Sequence, residues 1–119
     1  MNRIVLIPFL SVLLLVWNNN LSAQTQVEMN QKANDDFQKA DIELNEVYKQ
    51  LIKTLDEKEK QLLIKSQKDW IKFRDSHCDF EAQQYDGGSI KPLIYSTCLT
   101  ERTKNRINDL KISIESRDN

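Results

Sequence analysis

The stretch HCDFEAQQYDGGSIKPLIYSTC, residues 77–98, holds both cysteines of the 119-residue chain, its only two glycines and one of its two prolines. Its centre, Tyr85-Asp86-Gly87-Gly88-Ser89, breaks any helix running through it, because paired glycines admit positive φ and lose too much backbone entropy inside a helix. Pro92 suits the first turn of a new helix, where its missing N–H costs nothing. The segment therefore reads as the end of one helix, a turn, and the start of the next.

Working outward, apolar residues recur at helical spacing on both sides. Upstream, Asp56 with Glu59 three residues later forms a capping-box-like start for a helix through Leu62, Leu63, Gln67, Trp70, Phe73, His77 and Phe80 or Glu81. Before it, residues 26–55 contain no glycine or proline, and Phe37, Ala40, Leu44, Val47, Tyr48, Leu51, Ile52 and Leu55 mark a single stripe. Downstream, Leu93, Ile94, Cys98, Leu99, Arg106, Ile107, Leu110 and Ile114 define a third helix, with the tail Ser116-Arg117-Asp118-Asn119 expected to fray. No strand pattern, repeat or low-complexity linker interrupts this series. The expected fold is all-α, a compact bundle of three helices, two of them long, joined first by a tight turn and then by the glycine segment.

The N-terminus has another purpose. Met1-Asn2-Arg3 is followed by the apolar run IVLIPFLSVLLLVW and the polar NNNLSAQ, the pattern of a secretory signal peptide. The run is shorter than the roughly 18 to 20 residues that span a bilayer and lacks a basic stop-transfer cluster. Residues 1–23 are expected to be removed after Ala23, leaving residues 24–119 as one exported domain, periplasmic or secreted, with no membrane anchor. Arg3 is the only charged residue lost, so 16 basic residues face 18 acidic ones in the mature chain. That balance argues against nucleic-acid binding, which favours strongly basic surfaces.

In an exported chain two cysteines are expected to oxidise to each other, so a Cys78–Cys98 disulfide is the first expectation. It would tie the end of the second helix to the early third helix. A redox pair would favour C-x-x-C spacing, which is absent. His77 is the only histidine, and a metal site would need three or four ligands, so neither metal nor cofactor is expected. No G-x-S-x-G, phosphate-cradling glycine loop or second histidine supplies the parts of a catalytic site. The chain is read as a binding protein and not as an enzyme.

Three clusters then stand out: A40-D41-x-x-L44-N45-x-x-Y48, W70-x-x-F73-R74-D75-x-x-C78, and G87-G88-S89-x-x-P92-L93-I94-Y95-x-x-C98-L99-x-x-x-T103-x-x-R106-x-x-x-L110. Together, from Met29 to about Leu110, they resemble the LprI-type lysozyme inhibitor family of small exported bacterial domains. The resemblance implies a non-catalytic inhibitor whose protein partner is a lysozyme or another muramidase. It also maps that family's preserved cysteine pair onto Cys78 and Cys98. One departure is Lys32 in Met29-Asn30-Gln31-Lys32-Ala33, where many relatives carry a cysteine, so the first helix has no second bridge.

Within these motifs Leu44, Tyr48, Trp70, Phe73, Leu93, Leu99, Ile107 and Leu110 are expected in the core. Asp41, Asn45, Arg74, Asp75 and Arg106 are expected to form an inter-helix polar network, with Arg74 or Arg106 gripping Asp41 or Asp75 bidentately. For partner binding the best stretch is the turn, with Tyr85 as an anchor, Gly87 and Gly88 allowing close approach, and Ser89 and Lys91 available to carboxylates. The glycines serve equally well simply to end a helix and turn the chain, and the sequence leaves both readings open. A general envelope adaptor, binding another periplasmic protein through the charged first helix, is the alternative function, and an exposed apolar patch on residues 26–34 would favour it.

Overall fold

The computed structural model describes residues 8–119, with side chains from Thr25 onward. The expected signal segment and its cleavage after Ala23 lie outside the residues whose side chains are described. Three α-helices follow in order: α1, Pro8–Ile52; α2, Glu57–Ala82; and α3, Lys91–Asp118. No strand occurs among the described residues. The all-α bundle expected from the sequence is the observed architecture.

Helix α1 starts well before Gln26 because no glycine or proline follows Pro8 until Gly87. It unwinds three residues earlier than the stripe suggests. The Thr54 amide and its Oγ1 both donate to the Leu51 carbonyl, at 3.0 and 2.8 Å, turning the chain while Leu55 remains buried. Asp56 then caps α2, its carboxylate accepting from the Glu59 amide at 2.8 Å, as the capping pattern requires. Asp56→Ala is expected to lower stability by about 1 kcal/mol. Urea unfolding followed by circular dichroism measures this, and an unchanged midpoint would refute it.

Cross-helix contacts fix the topology. Glu43 meets Lys111 and Asn30 meets Ser89, so numbers rise together and α1 runs parallel to α3. Glu59 meets Arg117, Ser66 meets Arg106, Arg74 meets Thr103 and Cys78 joins Cys98, so α2 runs antiparallel to α3. The backbone of α3 approaches both other helices, whereas α1 and α2 meet largely through long side chains. The Arg117 contact to Glu59, at 3.0 Å, also explains why the tail expected to fray stays helical through Asp118.

The two ends of the bundle are built differently. Near the α1–α2 turn, Leu44, Val47, Leu51, Leu55, Ile107 and Leu110 form a buried aliphatic core, with Tyr48, Leu63, Trp70 and Ile114 packed against it. At the other end the buried residues are mostly small, namely Ala33, Ala40, Cys78 and Ala82, with Leu99. Small side chains let helices approach closely but remove little apolar area from water. The Cys78–Cys98 disulfide lies in this thinly packed end, closing a sequence separation of 20 residues with Cα atoms 5.6 Å apart.

One core expectation is corrected. Phe73 is 57 % exposed, because the buried face of α2 is Gln67, Arg74, Cys78 and Ala82. Each helical residue turns about 100°, so placing Arg74 inward rotates Phe73 outward. There it stacks on His77, with centroids 5.5 Å apart. Leu93 is partly buried, while Leu44, Leu99, Ile107 and Leu110 are fully enclosed.

Candidate functional site

Residues 83–90 are all exposed and form a projection at the thinly packed end. A single 3-10 turn, Gln83–Tyr85, continues from α2, and the chain then reverses through two glycines. Gly87 has φ +78°, a conformation that side-chain-bearing residues rarely adopt. Gly88 donates its amide to the Tyr85 carbonyl at 3.0 Å, so closely that a Cβ there would sit 3.2 Å from the same oxygen. Each glycine thus answers a separate geometric demand.

Three ties hold this turn. The disulfide fixes its base. The Asn30 amide of α1 donates to the Ser89 carbonyl at 3.2 Å, and the Lys91 ammonium bonds Asp86 at 2.9 Å across the turn. The Lys91 hydrogen bond, more than its charge alone, holds the Asp86 carboxyl below its ordinary range. Lys91 therefore serves as an internal clasp and is not a free cation. Tyr85, 39 % exposed, and the Ser89 hydroxyl remain on the outer surface. Asn30 is the member of this assembly that the sequence reading missed, since nothing local to Met29–Ala33 points to a contact with the turn 59 residues away.

Beneath the turn lies a polar layer centred on Arg74, which is only 7 % exposed. Its Nε donates to Asp75 Oδ1 at 2.9 Å, its Nη1 donates to the fully buried Thr103 Oγ1 at 3.4 Å, and Asp41 Oδ1 lies 3.7 Å from Nη1. The guanidinium sits 5.1 Å from the Phe37 ring centroid and 5.2 Å from that of Trp70, within cation–π range. Each carboxylate receives a single contact, so the bidentate fork expected from the sequence does not form. Geometry explains this: Asp75 adjoins Arg74 in the chain, while Asp41 approaches from α1 on another side.

Arg106 stands apart from the carboxylates. Its Nε donates to Gln67 Oε1 at 2.9 Å and its Nη2 to Ser66 Oγ at 3.1 Å, with Trp70 5.8 Å away. Burial pulls its pKa below the ordinary value, with Asp109 opposing. The two arginines share Trp70 and no acid. Asn45 is exposed and makes no side-chain hydrogen bond among the described residues. Lys32 pairs with Asp36 at 2.7 Å on the surface of α1. His77 lies 3.8 Å from Glu81 on the outer face of α2.

Comparisons with known proteins bear on what this arrangement serves. An uncharacterized protein of Rhizobium meliloti (strain 1021) is 33 % identical over 110 residues, covering 82 % of this chain and 79 % of the relative. No solved structure matches. The family model described as lysozyme inhibitor LprI matches residues 17–110, which take in α2, the turn, the disulfide and most of α1 and α3, and the chain belongs to that family.

Proposed function

We propose that this protein binds a muramidase and blocks its cleft sterically, with the turn 85–91 as the inserted element. The family supplies the class of partner. The observation that carries the mechanism is an exposed turn held at its base, its side and its crossing by the disulfide, Asn30 and the Lys91–Asp86 clasp. Such a turn loses little conformational freedom on binding, which is where rigid inhibitors gain affinity. Muramidases act through two carboxylates flanking the glycan, one kept protonated. The Ser89 hydroxyl and the Tyr85 phenol address such acids, and Tyr85 adds a large anchor with few rotatable bonds. The protein performs no chemistry. The apolar segment ahead of the bundle accords with export, which would bring it to the enzymes of the cell wall.

The test is titration of the oxidised protein into cell-wall lysis by animal-type, goose-type and invertebrate-type lysozymes and by one bacterial muramidase. Stoichiometric inhibition of at least one is expected, with Tyr85→Ala weakening it by at least roughly tenfold, as hot-spot truncation does. If a folded sample at tens of micromolar inhibits none, the reading fails.

One observation favours the adaptor as second reading. Val27 and Met29 are exposed on α1, beside a shallow groove lined by Met29, Ala33, Leu93 and Thr97. An envelope protein captured by the intact chain and lost on Met29→Ser, in the absence of any inhibition, would select it.

A further inference from the structure

The outer face of α2 carries two large aromatic side chains that the fold does not use. Phe73 is 57 % and Phe80 71 % exposed, with His77 stacked on Phe73 between them. Exposed apolar side chains gathered on one face mark interaction sites more often than isolated ones do. Seven residues are nearly two full turns, so both phenylalanines project from the same side. At 1.5 Å rise per residue their origins lie about 10.5 Å apart along the helix axis. That interval is close to the length of one disaccharide unit of a β-1,4-linked glycan, after which such a chain presents the same sugar face to the same side.

The chemistry of the face agrees with this spacing. Aromatic faces attract the polarised C–H groups of a pyranose ring through their quadrupole. The flanks are charged in halves. Lys72 adjoins Phe73 in the chain, with Lys68 one turn before it on the same side of α2, about 100° to 140° round from the rings. Both are exposed and make no ion pair among the described residues, and Asp69 is taken by Lys65 at 2.6 Å. Asp79 and Glu81 lie beside the Phe80 end, with His77 3.8 Å from Glu81. A plain amino-sugar polymer would meet only the rings. A glycan whose peptide side chains bear both carboxylates and ammonium groups would meet the rings and both charged flanks.

We propose that the outer face of α2, built on Phe73 and Phe80 and flanked by Lys68 and Lys72, binds a β-1,4-linked amino-sugar glycan carrying charged peptide side chains, the polymer of the bacterial cell wall. The site is separate from the turn 85–91 and does not depend on the inhibitor reading. The protein would bind the wall through one helix face and leave its turn free.

The experiment is co-sedimentation of the intact oxidised protein, purified from the periplasm of a producing strain, with purified peptidoglycan sacculi and with chitin as the uncharged β-1,4 amino-sugar control. The protein is expected to pellet with sacculi, more weakly with chitin. Phe73→Ala/Phe80→Ala should reduce the affinity for both by at least roughly tenfold, the scale of losing aromatic contacts. Lys68→Glu/Lys72→Glu should weaken binding to sacculi and leave chitin unchanged. Because all four side chains are exposed, unchanged melting temperatures are expected and separate binding from folding. Tyr85→Ala should leave pelleting intact. Failure to pellet with sacculi, or pelleting indifferent to the double phenylalanine substitution, overturns the proposal. If the unsubstituted protein does not pellet with sacculi while Phe73→Ala/Phe80→Ala abolishes muramidase inhibition, the face belongs to a protein groove and the proposal is likewise overturned.

Discussion

Arg74→Ala is expected to destabilise the protein by about 3 kcal/mol, lowering its melting temperature by roughly 15 °C. Two losses combine. The guanidinium and its stem fill the space between Phe37 and Trp70, and truncation opens a cavity there. Thr103, wholly enclosed, also loses the donor its hydroxyl accepts from. The acids contribute less. The Asp41 and Asp75 side chains are 44 % and 47 % exposed, so water rehydrates them once the cation is gone. The cost therefore falls at or below the lower end of what breaking a fully buried ion pair produces. Arg74→Met, which keeps the stem and drops the charge, is expected to cost distinctly less, and Arg74→Lys more than its conserved charge suggests, because a point ammonium cannot span Asp75 and Thr103. Thermal unfolding by circular dichroism decides the matter. A melt unmoved by Arg74→Ala would show that the layer carries no stability.

The same residue shows where the sequence was legible and where it was not. Helical spacing, the Asp56 cap and the glycine break are local signals, and the three helices follow from them. The rotation of α2 was not local. Apolar spacing turns Phe73 inward with Arg74 beside it in an inter-helix network, yet the burial of the guanidinium among Thr103, Asp75 and two aromatic rings rotates Phe73 out of the core. Those partners come from three helices, so no window on α2 alone could have revealed them. The outward phenylalanines are the consequence, which is why the face proposed to bind glycan was invisible in the sequence. The turn was easier to read, because Gly87 and Gly88 announce it. Its fastening was harder, since Asn30 reaches it from 59 residues away. The charge of Lys91 is legible in the sequence, whereas its partner five residues back, reached at a particular rotamer, is not.

Removing the disulfide is expected to have a comparable effect concentrated at one end. Cys78→Ala/Cys98→Ala releases a loop of 20-residue separation, which costs about 3 kcal/mol when the loss of unfolded-state restriction is the main effect. For a domain of this size that is a large share of total stability. The loss should not spread evenly. The aliphatic core from Leu44 to Leu55 lies at the opposite end and keeps its packing, whereas around the disulfide there remain small buried side chains, Leu99, the Asn30 contact and the exposed Lys91–Asp86 clasp. Hydrogen exchange is therefore expected to accelerate most across residues 82–92, with smaller changes in 44–55, alongside a reduced urea midpoint. An unchanged midpoint, or acceleration spread uniformly over the three helices, would show that the staple does not govern this end. If the expected gradient appears, the turn is rigid only when the cysteines are joined. An inhibitor that binds through that turn would then be competent only after reaching an oxidising compartment, where disulfides form and cell-wall enzymes act.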